Sequence, residues 1–235
     1  MIFISHLDAT HQNFIPKLKD HILPRIQDML RQETSQEISC NISQPTRSAM
    51  QDNILNRNSI FFKSDRMYRH HLARFNYTTY NVRRSQDVVN PDTTHHDIML
   101  LTNNCDAEGI SRTKHPFLYA RVLGIYHVNI IYTGEDRLDY TPRRVEFLWV
   151  RWFEYDGSRS VGWPDMKLDS LRFPPMADQG AFGFVDPRDV LHGCHILPRF
   201  SKGKARVDGV GLSRLAHDAQ DWSRYHVNRY VFNWL

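Results

Sequence analysis

Two short runs carry the residue types that metal and acid–base chemistry require. "TTHHD" supplies His95, His96 and Asp97, and "HGCH" supplies His192, Cys194 and His195. A tetrahedral zinc takes three or four converging His, Cys or carboxylate ligands. Neither spacing fits a zinc pattern, since in an extended segment His192 and Cys194 point one way and His195 the other. The expectation is structural histidines and no bound metal. Two-metal phosphodiester chemistry needs several carboxylates on neighbouring strands. Asp97, Glu146, Asp156 and Asp186 are available, at expected strand ends and turns where acids are common anyway. The chain has no nucleophile elbow, P-loop or dinucleotide fingerprint, and "GVGLS" at 209–213 lacks the lysine of a phosphate loop. No catalytic residue and no cofactor is therefore expected. A metal-dependent nuclease using some of His95, Asp97, His192 and His195 stands as an alternative.

A basic stretch is the stronger signal. Between residues 57 and 84 lie Arg57, Lys63, Arg66, Arg69, Arg74, Arg83 and Arg84, with Phe61, Phe62, Tyr68, Phe75, Tyr77 and Tyr80 interleaved and Asp65 the one opposing acid. Cationic side chains meet phosphates and aromatic rings stack on unpaired bases, so this mixture suits nucleic acid. Arg66, Arg69, Arg83 and Arg84 are the candidate phosphate contacts, and Tyr77 and Tyr80 the candidate stacking groups. The competing reading is a solvated hairpin face whose aromatics belong to the core.

Several elements must position these residues. Residues 11–33 read as helix, because Ile15, Leu18, Ile22, Ile26, Met29 and Leu30 recur every three or four positions. Pro24 predicts a kink or two short helices. The stripe of Ile15, Leu18, Ile22 and Ile26 must pack on the chain's own body or on a partner, such as a transposase or a second copy. Residues 34–58 are polar and aperiodic, and read as a linker or mobile loop. From 59 to 235 the pattern is β. "SIFFKSDRMY" and "LARFNYTTYNV" read as strands with a hairpin turn at "KSDR". "HDIMLLT" is a short strand, and "FLYARVLGIYHVNIIY" a long one with a bulge or bend at Gly124. "GEDRLDYTPRR" is turn material. "FGFVDPRDVLHGCHILPRF" offers two strands around a turn or one helical turn at "DPRD". In "VEFLWVRWFEY", alternation puts Val145, Phe147, Trp149, Arg151 and Phe153 on one face and Glu146, Leu148, Val150, Trp152 and Glu154 on the other. Both faces are apolar at the centre, which predicts a central strand covered on both sides, its aromatics mostly core.

The composition bounds the rest. The 235 residues are 41% hydrophobic and 12% aromatic, enough for one sizeable core. A net charge of +4 with a pI near 9.0 is only a weak pointer to nucleic acid. No apolar run is long enough to span a bilayer and the N-terminus has no basic leader, so an intracellular protein without membrane contact is expected. Cys40, Cys105 and Cys194 lie far apart, which argues against a disulfide framework.

Taken in order, "FIPKLKDHIL", "NYTTYNVRRSQDVVNP", "HHDIMLL", "YARVLGIYH", "EFLWVRWF", "GAFGFVDPRDVLHGCHILPRF" and "YHVNRYV" resemble the C-terminal region of the Plavaka group of CACTA-like DNA transposon proteins of mushroom-forming fungi. The resemblance runs from about Phe14 to Val231. It implies a transposon-encoded protein whose RNase H-like transposase core lies upstream. The chain starts just before the family's helical block and stops where its members continue, which implies a free-standing derivative of the accessory region. None of its positions matches the family's catalytic residues. The expected function is a non-catalytic, nuclear accessory module that binds nucleic acid or chromatin, with a protein–protein interaction or oligomerisation module as an alternative. The expected fold is α+β, an N-terminal helical arm on a β-rich, partly closed barrel similar to bromo-adjacent-homology domains.

Overall fold

A computed structural model describes residues 13–40, 57–78, 83–102, 115–134, 137–156 and 168–228. The fold is α+β and strand-rich. Helix α1 (Phe14–Cys40) precedes twelve strands: β1 (Ile60–His70), β2 (Ala73–Thr78), β3 (Arg84–Val89), β4 (Asp97–Leu101), β5 (Phe117–Gly134), β6 (Arg137–Trp152), β7 (Glu154–Tyr155), β8 (Ser170–Arg172), β9 (Phe182–Val185), β10 (Val190–Cys194), β11 (Ile196–Pro198) and β12 (Tyr225–Val227). A six-stranded sheet has the order β10-β4-β5-β6-β9, with β1 also paired to β5. A second sheet runs β11-β12-β8-β7, and β2 and β3 form a separate two-stranded ribbon. Among the described residues these pairings form open paths, with no sheet closed into a barrel.

The chain divides into two compact units. The first takes in residues 13–67 and 128–145, the second residues 68–127 and 146–228. In the first, α1 is one continuous helix that includes Pro24 and goes on through residues 34–40, which the sequence assigns to the linker. Pro24 lies on the exposed side, while Phe14, Leu18, Ile22 and Ile26, spaced by four, are buried. Burial on both sides of the proline offsets a backbone cost of about 3 kcal/mol. The predicted partner-binding stripe is thus interior: Leu18, Ile22 and Ile26 have no exposed surface, and Ile15 is half-buried. Polar contacts fix the helix further. Arg143 grips Glu33 with two bonds of 2.9 and 2.7 Å, and Lys19 lies over the rings of Phe61 and Phe62.

"KSDR" is not a hairpin turn. Ser64 and Asp65 adopt left-handed backbone (φ 59° and 49°) inside the single strand β1. "RLDYTPRR", expected as turn, is the first half of β6. In the second unit β6 is an inner strand between β5 and β9, as its two apolar faces predict. Val145, Phe147, Leu148, Trp149, Val150, Arg151 and Phe153 are all buried. Gly124 makes room: a Cβ there would lie 2.4 Å from the ring of Tyr126, which stacks on Phe147. "DPRD" forms one 3₁₀ turn between β9 and β10, capped by the Asp186 carboxylate on the Arg188 amide.

Candidate nucleic-acid interface

Two arginines set among the aromatics, Arg121 on β5 and Arg151 on β6, prove to be interior. Arg151 donates to Asp221 at 2.5 Å, and Arg121 reaches Asp97 at 3.1 Å and Asp221 at 3.5 Å. Both guanidiniums lie against the ring of Phe173, at 3.9 Å for Arg151 and 4.9 Å for Arg121, and Phe153 stacks on that ring from nearby. The Tyr225 hydroxyl donates to Asp221 and accepts from the Trp222 amide. Burial lifts the Asp221 carboxyl above its ordinary value against the pull of Arg151 and Arg121. Two cations balance two carboxylates here, so the cluster is a structural network with no charge left for a ligand.

Burial, reinforced by Asp221, pushes the Tyr225 phenol up from 10.0 to about 12. Because the folded state holds this proton more tightly, its contribution is fully present below pH 10.0 and is lost as pH rises towards about 12. Wild type should therefore lose roughly 2–3 kcal/mol across that window that Tyr225→Phe does not lose. Denaturant titrations between pH 9 and 12 on both proteins test this. A constant gap between the two curves would show that the phenol has no such role.

The two His-bearing runs come together in space. Strands β4 and β10 pair antiparallel, with Cys194 opposite Asp97 and His192 opposite Met99. Beside them opens a cleft of about 610 Å³, lined in part by Tyr77, Asp87, His95, Asp97, Cys194 and His195. The polar groups are engaged with one another. Asp97 serves Arg121 and lies 3.7 Å from His96, and His192 contacts Asp87 at 3.3 Å. Burial lowers the pKa of His96 and raises that of the Cys194 thiol well above its ordinary value. Among the described residues no three His, Cys, Asp or Glu side chains are placed to hold a metal. The four acids do not converge either: Asp156 pairs with Arg224, Asp186 caps a turn, and Glu146 is exposed on β6.

The ribbon has a different character. Register pairs Arg74 with Val88, Asn76 with Gln86 and Thr78 with Arg84, and all six are exposed. The intervening pairs are Ala73 with Val89, Phe75 with Asp87 and Tyr77 with Ser85. Alternation along the strands thus yields one inner and one outer face. The inner face is anchored: Ala73, Phe75 and Val89 pack with Ile98 and Leu100, and Asp87 accepts from the Gly193 amide at 3.0 Å. Asp87 is the one acid in either strand and points inward, so the outer face holds two arginines and two amides and no carboxylate.

The predicted site residues divide accordingly. Arg84 lies on the outer face and Arg83 is exposed just before it. Arg69 is tied to Asp92 at 2.8 Å. Arg66 is exposed but belongs to the first unit. Tyr77 is on the inner face, edge-on to His192 at 4.2 Å, so its ring is not presented with the arginines. Tyr80 lies outside the described residues. Sequence reasoning missed the roles of Arg74, Asn76 and Gln86. The signal was there, as R-x-N-x-T facing R-x-Q, but it needs the β2–β3 register to be seen.

The class this defines is an α+β protein with an anchored two-stranded ribbon whose outer face is basic and carries no carboxylate from either strand. Compared with known proteins, the chain matches no family model, and neither a curated sequence nor a solved structure resembles it significantly.

Proposed function

We propose that the chain is a non-catalytic nucleic-acid-binding module that meets its ligand with the outer face of the β2–β3 ribbon. The observation that carries this is the outer face itself: Arg74 and Arg84 share it, and neither β2 nor β3 places an acid on it. Phosphate contacts by such side chains supply affinity and register. The resemblance to transposon accessory regions makes DNA in the nucleus the natural ligand. A partly closed barrel is not required for this reading. Docking a transposase or a second copy through Ile15, Leu18, Ile22 and Ile26 would require the buried stripe to open, which disfavours that alternative.

Salt titration of binding to labelled duplex DNA tests the proposal. For a protein neutralising Z phosphates, log K falls with log salt at a slope near −0.9Z, so a slope of several is expected. Reversing both Arg83 and Arg84 to glutamate should lower affinity by roughly tenfold or more and flatten the slope. Absent binding at low salt, or an unchanged double variant, would remove the ribbon from the site.

A further inference from the structure

The centre of the ribbon's outer face is neither charged nor apolar. There Gln86 Nε2 donates to Asn76 Oδ1 at 2.7 Å across the strands. That bond does not use the amide nitrogen of Asn76 or the amide oxygen of Gln86, one donor and one acceptor on neighbouring side chains. Exchanging the two amide orientations gives the same set. Adenine offers the complementary pair in the major groove, an N7 acceptor and an N6 donor. Arg74 and Arg84 lie at the two ends of this face, on opposite strands and one side-chain pair away from the amides. Arginine is the usual partner of guanine O6 and N7.

We infer that the outer face of the β2–β3 ribbon reads duplex DNA directly in the major groove, with the Asn76–Gln86 pair on an adenine edge and Arg74 and Arg84 flanking it. This rests on the nucleic-acid reading above. Dimensions agree: two strands about 4.8 Å apart enter a groove about 12 Å wide. The row from residue 74 to residue 78 covers about 13 Å, or roughly four base pairs at about 3.4 Å each. The inner-face anchors hold this row rigid, as base readout requires. Single strands are disfavoured, because stacking needs exposed rings and both aromatics of β2, Phe75 and Tyr77, point inward. Duplex RNA is disfavoured because its major groove is too narrow for a ribbon.

The experiment is selection from randomised DNA duplexes, followed by affinity measurement on the enriched and scrambled sequences. The expected result is a core of about four base pairs containing adenine, bound at least about tenfold more tightly than scrambled duplex. Asn76→Ala with Gln86→Ala should abolish that preference. Gln86→Glu, nearly isosteric, replaces an amide by an acceptor and should move the preferred base from adenine towards cytosine, a gain that misfolding cannot imitate. Binding without preference, a preference that survives the double alanine variant, or tighter binding to single strands or duplex RNA each overturns the inference and leaves the binding module standing. Absence of binding to any nucleic acid, or capture of an acidic protein surface instead, overturns both.

Discussion

Asp221→Ala should destabilise the second unit by about 3–5 kcal/mol, because it strands the buried Arg151 guanidinium and takes from Arg121 one of its two carboxylates. Arg151 is only 4% exposed, and among the described residues its guanidinium bonds one carboxylate, that of Asp221. Arg121 keeps Asp97 but loses its second carboxylate, and Tyr225 loses the acceptor for its hydroxyl. The comparison with Arg151→Met is informative. Removing one partner leaves an uncompensated charge, whereas replacing the cation by an apolar chain that fits against Phe173 leaves Asp221 with Arg121 and Tyr225. The combined Asp221→Ala/Arg151→Met protein should therefore be more stable than Asp221→Ala alone. Guanidinium unfolding curves measure both. Equal stability of wild type and Asp221→Ala would mean that water reaches these arginines and that the network is not buried in solution.

Leu18→Asp is expected to cost the first unit about 3–5 kcal/mol, from the lost burial of a leucine together with a carboxylate forced into an apolar site. Leu18 has no exposed surface and lies between Phe14 and Ile22 on the buried stripe. Were the stripe a docking face, the same change would alter mass on sizing and leave the melt unchanged. A normal melt with a halved mass would thus reinstate the partner-binding reading. The predicted result is the reverse, a lowered melt with loss of helical signal.

The sequence made some levels legible and hid others for identifiable reasons. The buried status of β6 was readable because both of its faces are apolar, a pattern that only a doubly covered strand explains. The helical stripe was readable from its spacing, but not its end, since residues 34–40 are polar and helical only in continuation of α1. Of the two outcomes that Pro24 predicts, a break into two short helices is not seen, because burial on either side of the proline holds one continuous helix. Strand β3 was missed because "RSQDVV" is half polar, and its strand character comes from pairing with β2. That miss propagated. Without β3 there is no register, and without register Asn76 and Gln86 are two unrelated polar residues. Tyr77 failed for the same reason: its position within the basic stretch suggested stacking, while alternation placed it inward. Arg151 of "RVEFLWVRWF" took its meaning from Asp221, a residue 70 positions later that no local pattern connects to it.

That separation has a consequence for how the molecule comes into being. Asp221 follows Arg121 by 100 positions, and Tyr225 comes later still. A nascent chain that has completed β5 and β6 carries Arg151 on its most apolar strand with its carboxylate partner not yet synthesised. The half-made sheet cannot dry out around an unpaired guanidinium, so it cannot pack firmly, and a wet, charged surface is a poor template for another chain's strands. Only when the segment from Asp221 to β12 arrives does the charge close and the interior exclude water. The ion pair that holds the finished core is therefore expected to delay the unfinished one until the segment from Asp221 to β12 is available.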